Sequence, residues 1–425
     1  MPSHHCDLLI VGAGPAGIAA ACAAAESGRR ICQVDDNPVP GGQIWRGEAA
    51  NPSSRQARPW LDRFRRAGVE LFPETRVIDQ PSAGVLLAES ADSSFEIRYE
   101  KLILATGARE RFLPFPGWTL PNVMGAGGLQ ALVKAGLPVA GKRAVVAGAG
   151  PLLLAVAAYL RKQGADIAGI AEQASWSRLA RFGLALTRQP AKLLQAAQLQ
   201  WGLRGVPYRA GCWPVLAEGN GKIESVVLHC RGKTWRESCD YLACGFGLVP
   251  NLELALLLGC AVRHSFVEVN EWQQTSLAGV YSAGEPTGIG GVEGALIEGQ
   301  IAGYAAAGQL DKARRRFGAR NTARRFQVRL DQAFVLRPEL KDLVTAETIV
   351  CRCEDVPFGR IQHQDSWKSA KLQTRCGMGP CQGRICGPAI ELLLGWTPDS
   401  VRPPLYPAPV EHLSRSGGTP PQCDP

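Results

Sequence analysis

No C-x-x-C pair occurs in this chain, although it carries fourteen cysteines. Thiol–disulfide reductases work through that pair, so dithiol chemistry is not expected. The N-terminus, MPSHHCDLLIVGAGPAG, lacks a basic stretch, an apolar run and a small-residue cleavage site in that order, so no secretory signal is expected. Glycines and a proline break the apolar run from Gly12 to Ala25, which excludes a membrane span there. Many cysteines without such a signal point to reduced thiols in a cytoplasmic setting, with clustered ones serving as ligands. Histidines number six, and none stands in a pattern with a positioned carboxylate. Even Glu411 and His412 are only neighbours in a proline-rich tail, so no residue for removing a C–H proton is expected. The net charge of +9 draws on the run Lys312–Arg329. No nucleic-acid-binding module surrounds that run, which reads as a solvated linker helix or a docking face for a partner protein.

What the chain does contain is nucleotide-binding punctuation, in keeping with 48 glycines in 425 residues. Asp7–Val11 reads as a buried parallel strand entering Gly12-Ala13-Gly14-Pro15-Ala16-Gly17, followed by a helix and a strand ending on Asp35 and Asp36. Such a unit binds dinucleotides. Its glycines let the backbone approach a pyrophosphate, its helix N-terminus supplies N–H groups and partial positive charge, and its acid takes ribose hydroxyls. Gly42-Gln43 follows, then a helix over 56–67, a strand near 69–77, a hairpin over 85–99 and a strand 101–105 ending at Thr106-Gly107. A second unit begins with the strand 143–147 and Gly148-Ala149-Gly150-Pro151-Leu152-Leu153, and its second strand ends near Glu172. Leu153 stands where close helix–strand packing asks for Gly or Ala, which argues against NAD binding there and leaves a retained structural domain as the alternative. The stretch 176–200 reads as a basic amphipathic helix. Beyond paired strands near 223–238 come Gly245-Phe246-Gly247-Leu248-Val249-Pro250-Asn251 and Thr275–Glu285. The latter is a strand with an acidic end at Gly284-Glu285, set before a helix over 292–307.

Five cysteines crowd the segment ETIVCRCEDV … TRCGMGPCQGRICG: Cys351, Cys353, Cys376, Cys381 and Cys386. Four thiolates hold a [2Fe-2S] cluster, and four also suit tetrahedral Zn²⁺. Zinc knuckles use C-x2-C pairs, whereas this segment shows C-x-C and C-x4-C. Cys22, Cys32, Cys230, Cys239, Cys244 and Cys260 are scattered and read as packing residues.

The order GAGPAG … GGQ … ATGA … GAGP … GFGLVPN … TSLAGVYSAGE resembles the two-dinucleotide-domain flavoprotein reductases. The tail CRCE … KLQTRCGMGPCQGRIC resembles the [2Fe-2S] domain of bacterioferritin-associated ferredoxin. Both together, with the ending RPPLYPAPVEHL, resemble the A-type subunits of dye-linked amino- and imino-acid dehydrogenase complexes, which include opine oxidases, proline and hydroxyproline dehydrogenases and hydrogen cyanide synthase. The resemblance implies an α/β, glutathione-reductase-like fold with five parts. These are a first (FAD-binding) domain over 1–112 and 245–308, a second, NAD-like domain over 113–244, a basic linker over 309–345, a [2Fe-2S] domain over 346–396 and a tail over 397–425. It implies Cys351, Cys353, Cys381 and Cys386 as cluster ligands, with Cys376 an unligated neighbour. FAD or another adenine nucleotide would occupy the first site, and FMN an interface between subunits. The implied partners are a B-type subunit resembling D-amino-acid oxidase, with or without a small third subunit, and a quinone or dye acceptor. The chain would relay electrons, and substrate oxidation would fall to the partner. Location would be cytoplasmic, with or without peripheral contact with the membrane's inner face. Two alternatives stay open: a self-contained NAD(P)H-dependent reductase, and a non-redox scaffold.

Overall fold

The computed structural model describes residues 2–48, 54–187, 189–398 and 401–413. Positions 399, 400 and 414–425 of the expected tail lie outside the described residues. Two compact units divide the chain: Met1–Ala108 with Pro250–Arg324 and Ser400–Pro425, and Arg109–Val249 with Arg325–Asp399.

In the first unit the strand Ser3–Val11 lies at the centre of a sheet because its apolar run must be covered on both faces. Leu8, Leu9 and Ile10 are at most 1% exposed. The strand pairs in parallel with Ile31–Val34 on one side and Ser94–Leu104 on the other. Glu70–Phe72 extends one edge, and Val85–Glu89 and Arg76–Ser82 add an antiparallel flap at the other. Val280–Ser282 also pairs with Ser94–Leu104. Two helices, Pro15–Ala24 and Gly291–Ala306, pack tightly because both are built of small residues. A Cβ on Gly299 or Gly303 would run into the carbonyls of Ala16 or Ala20.

The second unit holds a five-stranded parallel sheet in the order Tyr208–Ala210, Asp166–Glu172, Arg143–Gly148, Tyr241–Gly245, Val123–Gly125. An antiparallel sheet of Cys212–Glu218, Ser225–Cys230 and Lys233–Ser238 lies beside it. The cysteine segment belongs to this unit. It has its own small core, formed around Val350, Val356, Ile361, Trp367 and Ile390. Trp118 Nε1 donates to the Ile349 carbonyl at 2.6 Å and Arg109 Nε to the Arg384 carbonyl at 3.0 Å, anchoring both cysteine-bearing stretches.

Four local expectations change. The strand expected over Thr275–Glu285 shortens to Val280–Ser282, and Glu285 opens a short 3₁₀ turn, Glu285–Thr287. The single helix expected over 176–200 is two, Trp176–Leu186 and Pro190–Gly202, because Pro190 has no N–H to donate and disfavours helical backbone in the residue before it. The hairpin's second strand and the strand expected at 101–105 are one, Ser94–Leu104. The strand expected near 69–77 is broken by Glu74, whose φ of 49° places it in the left-handed region. The basic run forms the helices Leu310–Arg314 and Phe317–Phe334. His412 pairs with Glu89 at 3.1 Å, and both side chains are buried. Among the described residues, no helix is long and apolar enough to cross a membrane.

Candidate cofactor sites

The first glycine loop is shaped by close approach. A side chain on Gly12 would strike the Ala105 carbonyl, and one on Gly17 would strike the Gly12 carbonyl. Gly42 lies against Gly14, where a Cβ would come within 2.9 Å of the Gly14 Cα. Pro15 opens the helix Pro15–Ala24 at a position that needs no N–H, and Ala16 packs against Gly284. Asp35 accepts hydrogen bonds from the Ala13 N–H and, at 2.8 Å, from the Asn37 N–H. The Asp36 carboxyl is pushed up by burial and by the neighbouring Asp35 charge. Arg46 donates to Asn37 Oδ1 at 3.0 Å and Gln43 Oε1 at 2.9 Å, while its Nε is buried with no partner. A buried guanidinium N–H without an acceptor, beside glycines and a helix N-terminus, fits a phosphate-bearing nucleotide. Sequence reasoning stopped at Gln43 and missed Arg46 three positions on, although a cation after a glycine turn was a usable signal.

The remaining residues expected at this site are brought to one end of the first sheet. Thr106 Oγ1 donates to the Asn251 carbonyl at 2.7 Å, and Asn251 Nδ2 returns a bond to the Thr106 carbonyl at 2.8 Å. The Asn251 N–H donates to the Gly107 carbonyl at 3.0 Å, so the two loops are tied together. Glu285 accepts from the Gly291 N–H at 3.1 Å. Behind this turn lies Glu298, which accepts from the Gly284 N–H at 3.1 Å, from Thr287 Oγ1 at 2.7 Å and from Arg324 at 3.1 Å. Glu298 was missed too; a buried-face carboxylate in the middle of a small-residue helix was its signal.

The second loop has the same opening but different surroundings. Leu153, at the third glycine position, is fully buried among Val146, Val156 and Leu160. Glu172 is fully buried and accepts from the Gly150 and Ala174 N–H groups, each at 2.7 Å. Burial pushes its carboxyl up to about 7. Gly150 is covered by the Phe334 ring, to which a Cβ there would lie 3.7 Å distant. The segment after Phe334 is held by Gln173, whose Nε2 donates to the Phe334 and Val335 carbonyls at 3.4 and 3.3 Å and whose Oε1 accepts from the Arg337 N–H at 3.1 Å. Arg178 adds a bond to the Val335 carbonyl at 3.0 Å. A cavity of about 460 Å³ lies nearby, lined by residues that include Trp176, Trp213 and Arg337, but Gly148, Gly150 and Glu172 are not in its wall. The chain's own segment 334–337 is thus held beside the second glycine turn.

At the cysteine segment, the Sγ atoms of Cys351, Cys376 and Cys386 lie within 4.8 Å of one another. Each residue is 1% exposed. Cys353 is exposed and Cys381 half-buried, and the Cys353 thiol is pushed up by burial and by its neighbour Cys381. Thiol hydrogen bonds from Cys376 and then Cys386 hold the Cys351 thiol down to about 2, aided by the Gly377 N–H at 3.5 Å. The same bonding to Cys351 pushes Cys376 and Cys386 up. This all-sulfur donor set, three thiols buried and two more open, fits an iron–sulfur cluster by ligand chemistry.

The family described as "Pyridine nucleotide-disulphide oxidoreductase" matches residues 6–315. The HcnB subunit of hydrogen cyanide synthase from Pseudomonas aeruginosa is 33% identical over 421 residues, covering 89% of this chain and 90% of that protein. The A-type subunit of opine oxidase from Rhizobium meliloti is 32% identical over 448 residues, covering 94% and 96%. Among solved structures, L-proline dehydrogenase from P. horikoshii superposes with a TM-score of 0.70 at 19% identity, covering 97% of this chain and 80% of that one. That likeness shows a shared fold.

Proposed function

We propose that this chain, which belongs to the pyridine nucleotide-disulphide oxidoreductase family and is an oxidoreductase related to HcnB and to the A-type subunit of opine oxidase, is the electron-relay subunit of a heteromeric dehydrogenase. The complex would oxidise an amino or imino acid of the opine or hydroxyproline type on a flavin-bearing partner and pass the electrons to a quinone or dye. The observation that carries this reading is the convergence of three buried thiols, with the more open Cys353 and Cys381 in the same segment. A flavin takes two electrons and gives them up singly, and a [2Fe-2S] cluster takes one at a time, so the pair turns hydride chemistry into single-electron transfer.

This chain's own residues have holding roles. Gly12, Gly14 and Gly17 keep the backbone clear for the FAD pyrophosphate, Arg46 supplies a charged donor, and Asp35 and Asp36 stand at the ribose end. Cys351, Cys353, Cys381 and Cys386 would hold iron. FMN is assigned to the interface with the partner. The absence of a C-x-x-C separates the chain from those family members that reduce disulfides.

The rival reading, a self-contained NAD(P)H-dependent reductase, draws on the retained Gly148 and Gly150. Phe334 over Gly150 and buried Leu153 count against it. Co-expression with a D-amino-acid-oxidase-like partner, followed by absorbance spectroscopy and iron and sulfide assay, tests the proposal. A yellow-brown complex bleached by an amino or imino acid and indifferent to NADH is expected. Bleaching by NADH alone, or a colourless metal-free protein, overturns it.

A further inference from the structure

A [2Fe-2S] cluster takes four protein ligands, and five thiols stand at this site. Their distribution is uneven: three are buried within 4.8 Å of one another, Cys381 is half-buried and Cys353 is exposed. The odd one, Cys376, is held firmly in the buried group. Its N–H donates to Thr374 Oγ1 at 3.2 Å, and that hydroxyl donates to the Ala370 carbonyl at 2.6 Å, which ties Cys376 to the helix Trp367–Thr374. Arg375, with φ of 66°, turns the chain at the helix end toward the other thiols. Cys386 is fixed independently, as the first residue of the helix Cys386–Leu394.

One side chain keeps these two supports in register. The Trp367 indole lies against both Gly377 and Gly383, where a Cβ would come within 2.8 Å and 3.0 Å of the ring. The loop after Cys376 and the loop before Cys386 are thus clamped against one 7% exposed ring. Cys376 cannot swing away from its neighbours without unpacking that ring.

We infer that Cys376 is a reserve ligand: the buried end of the site offers three thiols for two places, so Cys376 takes over when Cys386 is lost. The more open pair, Cys353 and Cys381, has no such stand-in. This inference rests on the cluster reading above. Losing a buried ligand is therefore tolerated, and losing one of the more open pair is not.

Alanine substitutions test it, since a serine oxygen can itself ligate iron. Iron, acid-labile sulfide and the EPR spectrum of the dithionite-reduced complex are measured for each variant, with circular dichroism as the control for folding. Cys386→Ala should keep most of its iron and sulfide with an altered EPR line shape. Cys376→Ala should keep both with little change. Cys376→Ala combined with Cys386→Ala should lose the cluster, as should Cys381→Ala alone. A folded Cys386→Ala protein as empty of iron as Cys381→Ala overturns the inference, and so does loss of the cluster in Cys376→Ala alone. If Cys386→Ala does not fold, Cys386→Ser is read by the same criteria, with Cys376→Ala as the background that must abolish retention. Wild-type protein holding zinc, or neither iron nor sulfide, sinks the cluster reading itself and is recognised before any variant is made.

Discussion

Two loops in this chain begin with the same four residues, Gly-Ala-Gly-Pro, and end up in different chemistry. In the first, Gly17 lets the helix come so close that a methyl group would strike the Gly12 carbonyl, and Arg46 leaves a buried N–H without an acceptor. In the second, Leu153 fills the corresponding space and Phe334 covers the turn, while Glu172 bonds to its loop as Asp35 does in the first. The difference teaches that a glycine motif specifies a turn. Whether the turn receives a phosphate depends on what the rest of the chain leaves open around it.

The sharpest way to break this comparison is to change the third glycine position in each loop. Gly17→Ala should expel the flavin and destabilise the fold by at least about 3 kcal/mol, because backbone has no room to yield. Leu153→Ala should cost about 2–5 kcal/mol through its cavity yet leave flavin content unchanged. The ratio of flavin to protein absorbance after gel filtration, with denaturant melts, reads both. If the two variants exchange outcomes, the roles of the loops are reversed.

Next in size is a pH effect confined to the second loop. Burial raises the Glu172 carboxyl from 4.5 to about 7 in the folded protein. Between those values the folded state binds more protons than the unfolded state. Stability should therefore fall as pH rises through that window, by about 3 kcal/mol once above it. Denaturant melts from pH 4.5 to 8 measure the slope, and Glu172→Gln should flatten it. An unchanged slope in that variant would assign the pH dependence elsewhere.

Smaller effects sharpen the picture. Phe334→Ala removes a half-buried ring and should cost about 2 kcal/mol, short of the range for a fully buried Phe. It should not confer bleaching by NADH, because Leu153 remains; if it does, Phe334 alone bars the second site. Arg46→Met should keep the fold and weaken flavin retention about tenfold, the equivalent of about 1.4 kcal/mol, by removing one charged donor. Equilibrium dialysis of the released flavin measures this, and unchanged affinity would remove Arg46 from the site.

Much of the architecture was legible in the chain. The parallel strands, both glycine turns and the cysteine segment declare themselves locally, because short apolar runs, glycine spacing and thiol spacing are properties of neighbouring residues. Where local signals competed, the reading slipped. One apolar stretch was split into a hairpin strand and a separate strand when it forms the single strand Ser94–Leu104, and Pro190 was underweighted as a helix break.

The sequence by itself determined which turns and which ligand types exist: GAGPAG, GAGPLL and five clustered thiols are covalent facts. Leu153 alone was enough to argue against a nicotinamide site. Only the tertiary structure decided that residues about 180 positions downstream of Gly150 would close that turn, since Phe334 meets Gly150 through packing that no local pattern encodes. It likewise decided that Cys376, which the family resemblance set aside, shares the buried end of the cysteine site with Cys351 and Cys386. Spacing along a chain says which thiols can reach a site, whereas the Trp367 clamp says which are held there.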